Sequence, residues 1–164
     1  MDSPLEKPTK RRFVLDTFAL LVYFDKEEGV AIVKDLLSVA DAETQLYLSI
    51  INLGEFIYAS EREHGLDQAN SRLEDTRRLP ITLAGVNERR VLAAAHIKAN
   101  HAVSYADAFA IALGQELGTT IVTGDPEFTR VAKIVDILWL RDEKTKEGKK
   151  ARERSAVYRQ AKRK

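Results

Sequence analysis

The stretch Ser104-Tyr-Ala-Asp-Ala-Phe-Ala-Ile-Ala-Leu-Gly-Gln-Glu-Leu-Gly-Thr-Thr-Ile-Val-Thr-Gly-Asp-Pro-Glu-Phe128 decides how this chain reads. It predicts an apolar helix, a stop at Gly118, a short β-branched strand and a turn in which Pro126 opens another helix. Asp107 falls in the first turn of the helix and Asp125 just after the strand. Open α/β sheets build their sites where strand ends meet helix starts. Two more acids, Asp16 and Glu55, take similar places earlier in the chain.

Outward from this stretch the same alternation repeats. Phe13-Val14-Leu15 predicts a first strand, followed by an apolar helix over Phe18–Phe24. Glu27–Ala40 predicts a helix with apolar Val30, Val33, Leu36 and Leu37 and with acids in its first turn. Gln45–Ser49 reads as a strand, and a helix from Ile51 to His64 is stopped by Gly65. A charged amphipathic helix, Leu66–Leu79, ends at Pro80; Ile81–Leu83 is a third strand; Asn87 caps a helix over Glu88–Asn100. Val135–Leu140 reads as a last strand. The order β-α-α-β-α-α-β-α-α-β-α-β predicts an α/β fold: about five short strands, mostly parallel, with helices on both faces.

The chain has 164 residues, enough for one domain with a sizeable core, and its 45% hydrophobic and 31% charged content fits a soluble globular protein. No apolar run reaches spanning length, and MDSPLEKPTKRR has no apolar core of a secretory signal, so a cytoplasmic protein away from membranes is expected. Absence of cysteine excludes disulfides, iron–sulfur clusters and cysteine-ligated zinc. The net charge of +1 hides an asymmetry: residues 144–164 hold 10 Lys/Arg and 2 Asp/Glu (+8), against 16 and 23 in the remainder (−7). The expected organisation is a polar arm over 1–12, a folded domain over 13–142 and a basic tail over 143–164.

Each acid has an ordinary reading. Asp16 and Asp125 suit helix N-caps, and Ser104-x-x-Asp107 suits a capping box. Glu55 has no such role; its helical neighbours Ile51, Asn52, Tyr58 and Ala59 include no cation. Together the four say more. In a parallel sheet they share one edge, where crowded carboxylates repel unless a cation intervenes. An all-oxygen donor set without His or Cys suits Mg²⁺ or Mn²⁺, ions that take further ligands from phosphate and water. Metal-dependent phosphodiester hydrolysis follows from that chemistry. His64, His96 and His101 do not form a ligand set by spacing, and Gly118 and Gly124 make no nucleotide-binding pattern.

The segments VLDTFALL, INLGEFIYA, SYADAFAIALGQELG and TTIVTGDPEF resemble, in order and spacing, those of the PIN-domain ribonucleases, in particular VapC-type toxins of toxin–antitoxin pairs. The resemblance spans about residues 13–140. It implies a PIN fold, Mg²⁺ or Mn²⁺ dependence, endonucleolytic cleavage of RNA, a homodimer and a cognate antitoxin. It makes Asp16, Glu55, Asp107 and Asp125 the metal-holding and catalytic quartet, and places the hydroxyls of Thr17 and Thr123 near the acids. Phe18 departs from the small polar residue common after Asp-Thr. Similar domains also serve RNA processing, and a non-catalytic module binding RNA or protein is the alternative of another class. A phospho-accepting receiver is disfavoured, because its paired acids and late lysine are missing. The basic tail lies outside the resemblance; it suits phosphate contacts or a solvated end.

Overall fold

The computed structural model describes residues 10–41 and 43–141. Most of the expected arm and all of the tail therefore lie outside the described residues. The elements follow in the expected order: β1 (Arg11–Leu15), α1 (Thr17–Asp25), α2 (Val30–Ser38), β2 (Thr44–Ser49), α3 (Ile50–His64), α4 (Leu66–Arg78), β3 (Ile81–Ala84), α5 (Glu88–Asn100), α6 (Tyr105–Leu117) and β4 (Thr120–Thr123). A short 3₁₀ helix, Pro126–Val131, and β5 (Ile137–Trp139) complete the fold.

The sheet is parallel throughout, in the order β3-β2-β1-β4-β5. Successive strands step outward from β1 to β3, and the chain then crosses back to lay β4 on the other side of β1. The switch point therefore lies between β1 and β4, and open sheets bind ligands beyond the strand ends at such a point. Leu15 stands opposite both Leu48 and Val122, so Asp16, Ser49 and Thr123 emerge level on one edge.

Alternation along the strands supplies two cores. Val14 and Ile121 pack with Ala108, Ile111 and Phe128 under α5, α6 and the 3₁₀ helix. Leu15, Leu48 and Val122 pack on the other face with Leu20, Val33 and Phe56 of α1, α2 and α3. Both faces are covered, which accounts for apolar runs in place of a clean alternation. Burying each such side chain stabilises the fold by roughly 1.5–3 kcal/mol.

Three local expectations are corrected. The helix expected from Glu27 begins at Val30, because Lys26 closes α1 in the left-handed region (φ 54°) and Gly29 follows at φ 94°. Glu27 and Glu28 thus precede the helix and are not in its first turn. Only glycine fits at 29: an added Cβ would lie 2.3 Å from the Leu140 carbonyl oxygen. The segment after Pro126 is 3₁₀ rather than α, and Arg11 and Arg12, assigned to the arm, belong to β1.

Candidate active site

Asp16 is the first residue beyond β1. Its backbone is extended, and its Oδ1 accepts from the Ala19 amide at 2.9 Å, the N-cap bond of α1. Its Oδ2 accepts from the Thr123 hydroxyl at 2.6 Å across the switch point, and Thr123 Oγ1 in turn accepts from the Asp125 amide at 3.0 Å. Asp125 caps the 3₁₀ helix through the Glu127 amide at 2.9 Å. Asp107 completes a capping box: its amide donates to Ser104 Oγ at 3.0 Å, while its Oδ2 accepts from the Ser104 amide at 3.2 Å and hydroxyl at 2.6 Å. The ordinary capping roles are all realised. The same bonds aim three acids at one place.

That convergence is visible in the charge on Asp16. The residue is 1% exposed. Burial pushes its carboxyl well above the ordinary aspartate value, hydrogen bonds from Thr123 and Ala19 work against this, and the charges of Asp107 and Asp125 push it up further. Carboxylate oxygens of Asp107, Asp125 and Glu127 all lie within 4.8 Å of one another. Glu127 is the acid that sequence reasoning misses. Its place two residues after Asp125, at the start of the 3₁₀ helix, is the signal that would have found it. Its carboxylate also lies 3.7 Å from Arg130.

Glu55 comes from α3 and meets the site through Thr17, the residue after Asp16; it is not among the acids whose carboxylate oxygens lie within 4.8 Å of one another. It is buried, and its Oε2 accepts from the Thr17 hydroxyl at 2.5 Å, with Tyr58 3.5 Å from its Oε1. The residue after Asp16 is thus a direct partner of Glu55. Phe18, next along, points its ring at Gly124, where an added Cβ would come within 2.5 Å of Phe18 Cε1; the Arg141 guanidinium lies 4.4 Å from the ring centroid. The bulky residue after Asp-Thr is a packing piece that fills the space left by Gly124.

The donor set fits a hard divalent cation. Every donor is an oxygen, and Asp16 is a buried carboxylate held among like charges, a cost that a cation removes. His64 comes together with Asp25 and Glu63, a grouping its sequence spacing did not show. There Asp25 accepts from Arg72 at 2.5 Å, so the buried cation of that group is already supplied by the chain.

An all-parallel α/β sheet with its buried acids at the carboxyl edge of the switch point defines the class of protein. The family model described as the PIN domain matches residues 13–134, and the chain belongs to that family. No curated protein matches the chain by sequence. Among solved structures it is similar to VapBC2 from Rickettsia felis bound to a promoter DNA fragment (13% identity, TM-score 0.65, covering 79% of this chain and 99% of that one). It is also similar to DNA-bound VapBC from Salmonella typhimurium (20%, 0.62, 80% and 99%). A third is VapC20 from Mycobacterium tuberculosis, described as a sarcin–ricin loop cleaving toxin (17%, 0.60, 73% and 94%). These likenesses bear out the expected fold.

Proposed function

We propose that this chain is a divalent-metal-dependent endoribonuclease and the toxin of a toxin–antitoxin pair. The observation that carries the reading is Asp16: a buried carboxylate, repelled by Asp107 and Asp125, at the switch point of a PIN domain. Asp107, Asp125 and Glu127, whose oxygens cluster, and Asp16, which feels the charge of Asp107 and Asp125, are the residues that would hold the ion, with Glu55 bonded to Thr17, the residue after Asp16. Mg²⁺ or Mn²⁺ bound there supplies charge stabilisation to a phosphoryl oxygen and lowers the pKa of water. The chain's own part is to orient the carboxylates, whose charge burial disfavours and a bound ion would restore, and to leave one able to take a proton from the attacking water. Similarity to VapBC pairs and to a sarcin–ricin loop cleaving toxin supports RNA as substrate and an antitoxin as partner.

The test is calorimetric binding of Mn²⁺ and Mg²⁺ to wild type and Asp107→Asn, with RNA cleavage on the same samples. The expected result is binding and cleavage in wild type, with cleavage reduced at least about 100-fold in the variant, beyond the range for losing a mere supporting partner of a ligand. The fold should survive, because the Ser104 hydroxyl still caps α6 through the amide of residue 107. A folded Asp107→Asn that cleaves at the wild-type rate would remove the site. A wild type that binds neither ion would leave a non-catalytic module.

A further inference from the structure

Asn52 lies on α3 three residues before Glu55, on the same helix face, and is 0% exposed. Its amide joins three elements. Nδ2 donates to Thr17 Oγ1 in α1 at 3.2 Å and to the Ala106 carbonyl in α6 at 3.2 Å. The Thr17 hydroxyl has one hydrogen, and the 2.5 Å bond to Glu55 Oε2 takes it ahead of the Asn52 backbone carbonyl at 3.3 Å, so toward the Asn52 side-chain amide it accepts. The Ala106 carbonyl can only accept. Reversing the amide would set Oδ1 against two acceptors, so chemistry fixes its orientation.

Both amide hydrogens are therefore committed. One goes to the residue that follows Asp16 and holds Glu55; the other goes to the residue before Asp107. Oδ1 is buried and has no hydrogen-bond partner among the described residues. A buried acceptor left unused opposes folding, and an apolar side chain of that size would avoid the cost. The core gives no reason for an amide at this position; the acids around it do.

We infer that Asn52 is a positioning residue, which sets Glu55 through Thr17, and Asp107 through the first turn of α6, in register with Asp16. The inference rests on the metal-dependent reading of the acid site and deepens it. Ligating carboxylates are themselves held by hydrogen bonds, and loss of such support typically lowers metal affinity or activity about 10- to 100-fold.

The experiment is Mn²⁺ calorimetry on the full chain as wild type, Asn52→Leu, Thr17→Val and the double variant, each first checked for cooperative unfolding without metal. Folded Asn52→Leu is expected to bind Mn²⁺ about 10- to 100-fold more weakly. The double variant should lose less than the two single losses combined, because the two residues share the Asn52–Thr17 bond. At saturating Mn²⁺, Asn52→Leu should lower kcat for RNA cleavage and leave KM unchanged. Should Asn52→Leu fail to fold, Asn52→Ala removes the same two amide bonds and carries the test. Wild-type Mn²⁺ affinity in either folded variant overturns the inference while leaving the nuclease reading in place. A wild type that binds no Mn²⁺ overturns both.

Discussion

Asp16 is both a helix cap and a buried charge, and the two roles pull in opposite directions. The cap bond from Ala19 and the Thr123 hydroxyl favour its ionised form, whereas burial and the neighbouring acids favour the neutral one, and burial dominates. A folded-state pKa above the ordinary 3.8 means that the native protein binds this proton more tightly than the unfolded chain does. Its contribution to stability is complete below the unfolded value and is lost as pH rises through the folded one. Metal-free wild type should therefore lose Tm relative to Asp16→Asn as pH rises above the ordinary aspartate value of 3.8. Saturating Mg²⁺ should remove the trend, because the ion then neutralises the carboxylate. Parallel pH profiles for the two metal-free proteins would show that Asp16 ionises without cost. Gly124 is a second point where one residue controls its surroundings. Gly124→Ala pushes a methyl into the Phe18 ring and should cost about 1–3 kcal/mol in urea unfolding. Phe18→Leu in the same chain should recover part of that loss; simple additivity would show that the two do not share the space.

At the scale of elements, α4 shows how a charged helix is held in place. Little of it is apolar, yet Arg72 is buried: its guanidinium meets Asp25 of α1 at 2.5 Å and Ser60 of α3 at 3.3 Å, and lies 5.7 and 6.0 Å from the ring centroids of Phe24 and Phe56. One side chain thus ties α4 to the two helices that carry Thr17 and Glu55. Arg72→Met should destabilise by roughly 2–4 kcal/mol, below the full cost of breaking a completely buried pair because Asp25 keeps 23% of its side chain exposed. Chemical unfolding checks it, and a loss under about 0.5 kcal/mol would reduce the pair to an ordinary surface contact. The sequence marked α4 as amphipathic and stopped it at Pro80, but its partners are 47 and 12 residues away and left no local trace.

For the whole molecule, the open question is what the charge asymmetry does. A body of charge −7 with an acidic site must still approach a polyanion, and the segment over 144–164 carries +8. We propose that this segment supplies the phosphate contacts. Truncation after Asp142 preserves Arg141, which pairs with Glu27 beside α2. In an Asp107→Asn background, the truncated chain should bind RNA more weakly and with a shallower dependence on salt. The log–log slope should fall by about 0.7 for each phosphate that the tail no longer neutralises. An unchanged slope would assign the tail to solvent. The homodimer expected from the family resemblance is checked by light scattering: the particle should weigh about twice 18.5 kDa, and a mass of one chain would exclude it. Among the described residues, no helix is long and apolar enough to cross a membrane.

Sequence alone determined the order of the elements, because strands, helices and their stops are written in local signals. Val14-Leu15 and Ile121-Val122 are apolar in succession, Gly65 and Gly118 end helices, and Ser104 and Asn87 begin them. It also placed Asp16, Asp107 and Asp125 at element ends, where caps and strand edges are visible residue by residue. Tertiary structure decided what those ends face. That Thr123 serves Asp16 from 107 positions away, that the Thr17 hydroxyl meets Glu55, and that Glu127 joins Asp107 and Asp125 all follow from how the chain folds back on itself about the sheet. Hydrogen bonds and charge repulsion act over a few ångströms of space and not over sequence, so only the folded sheet could bring these groups into each other's reach.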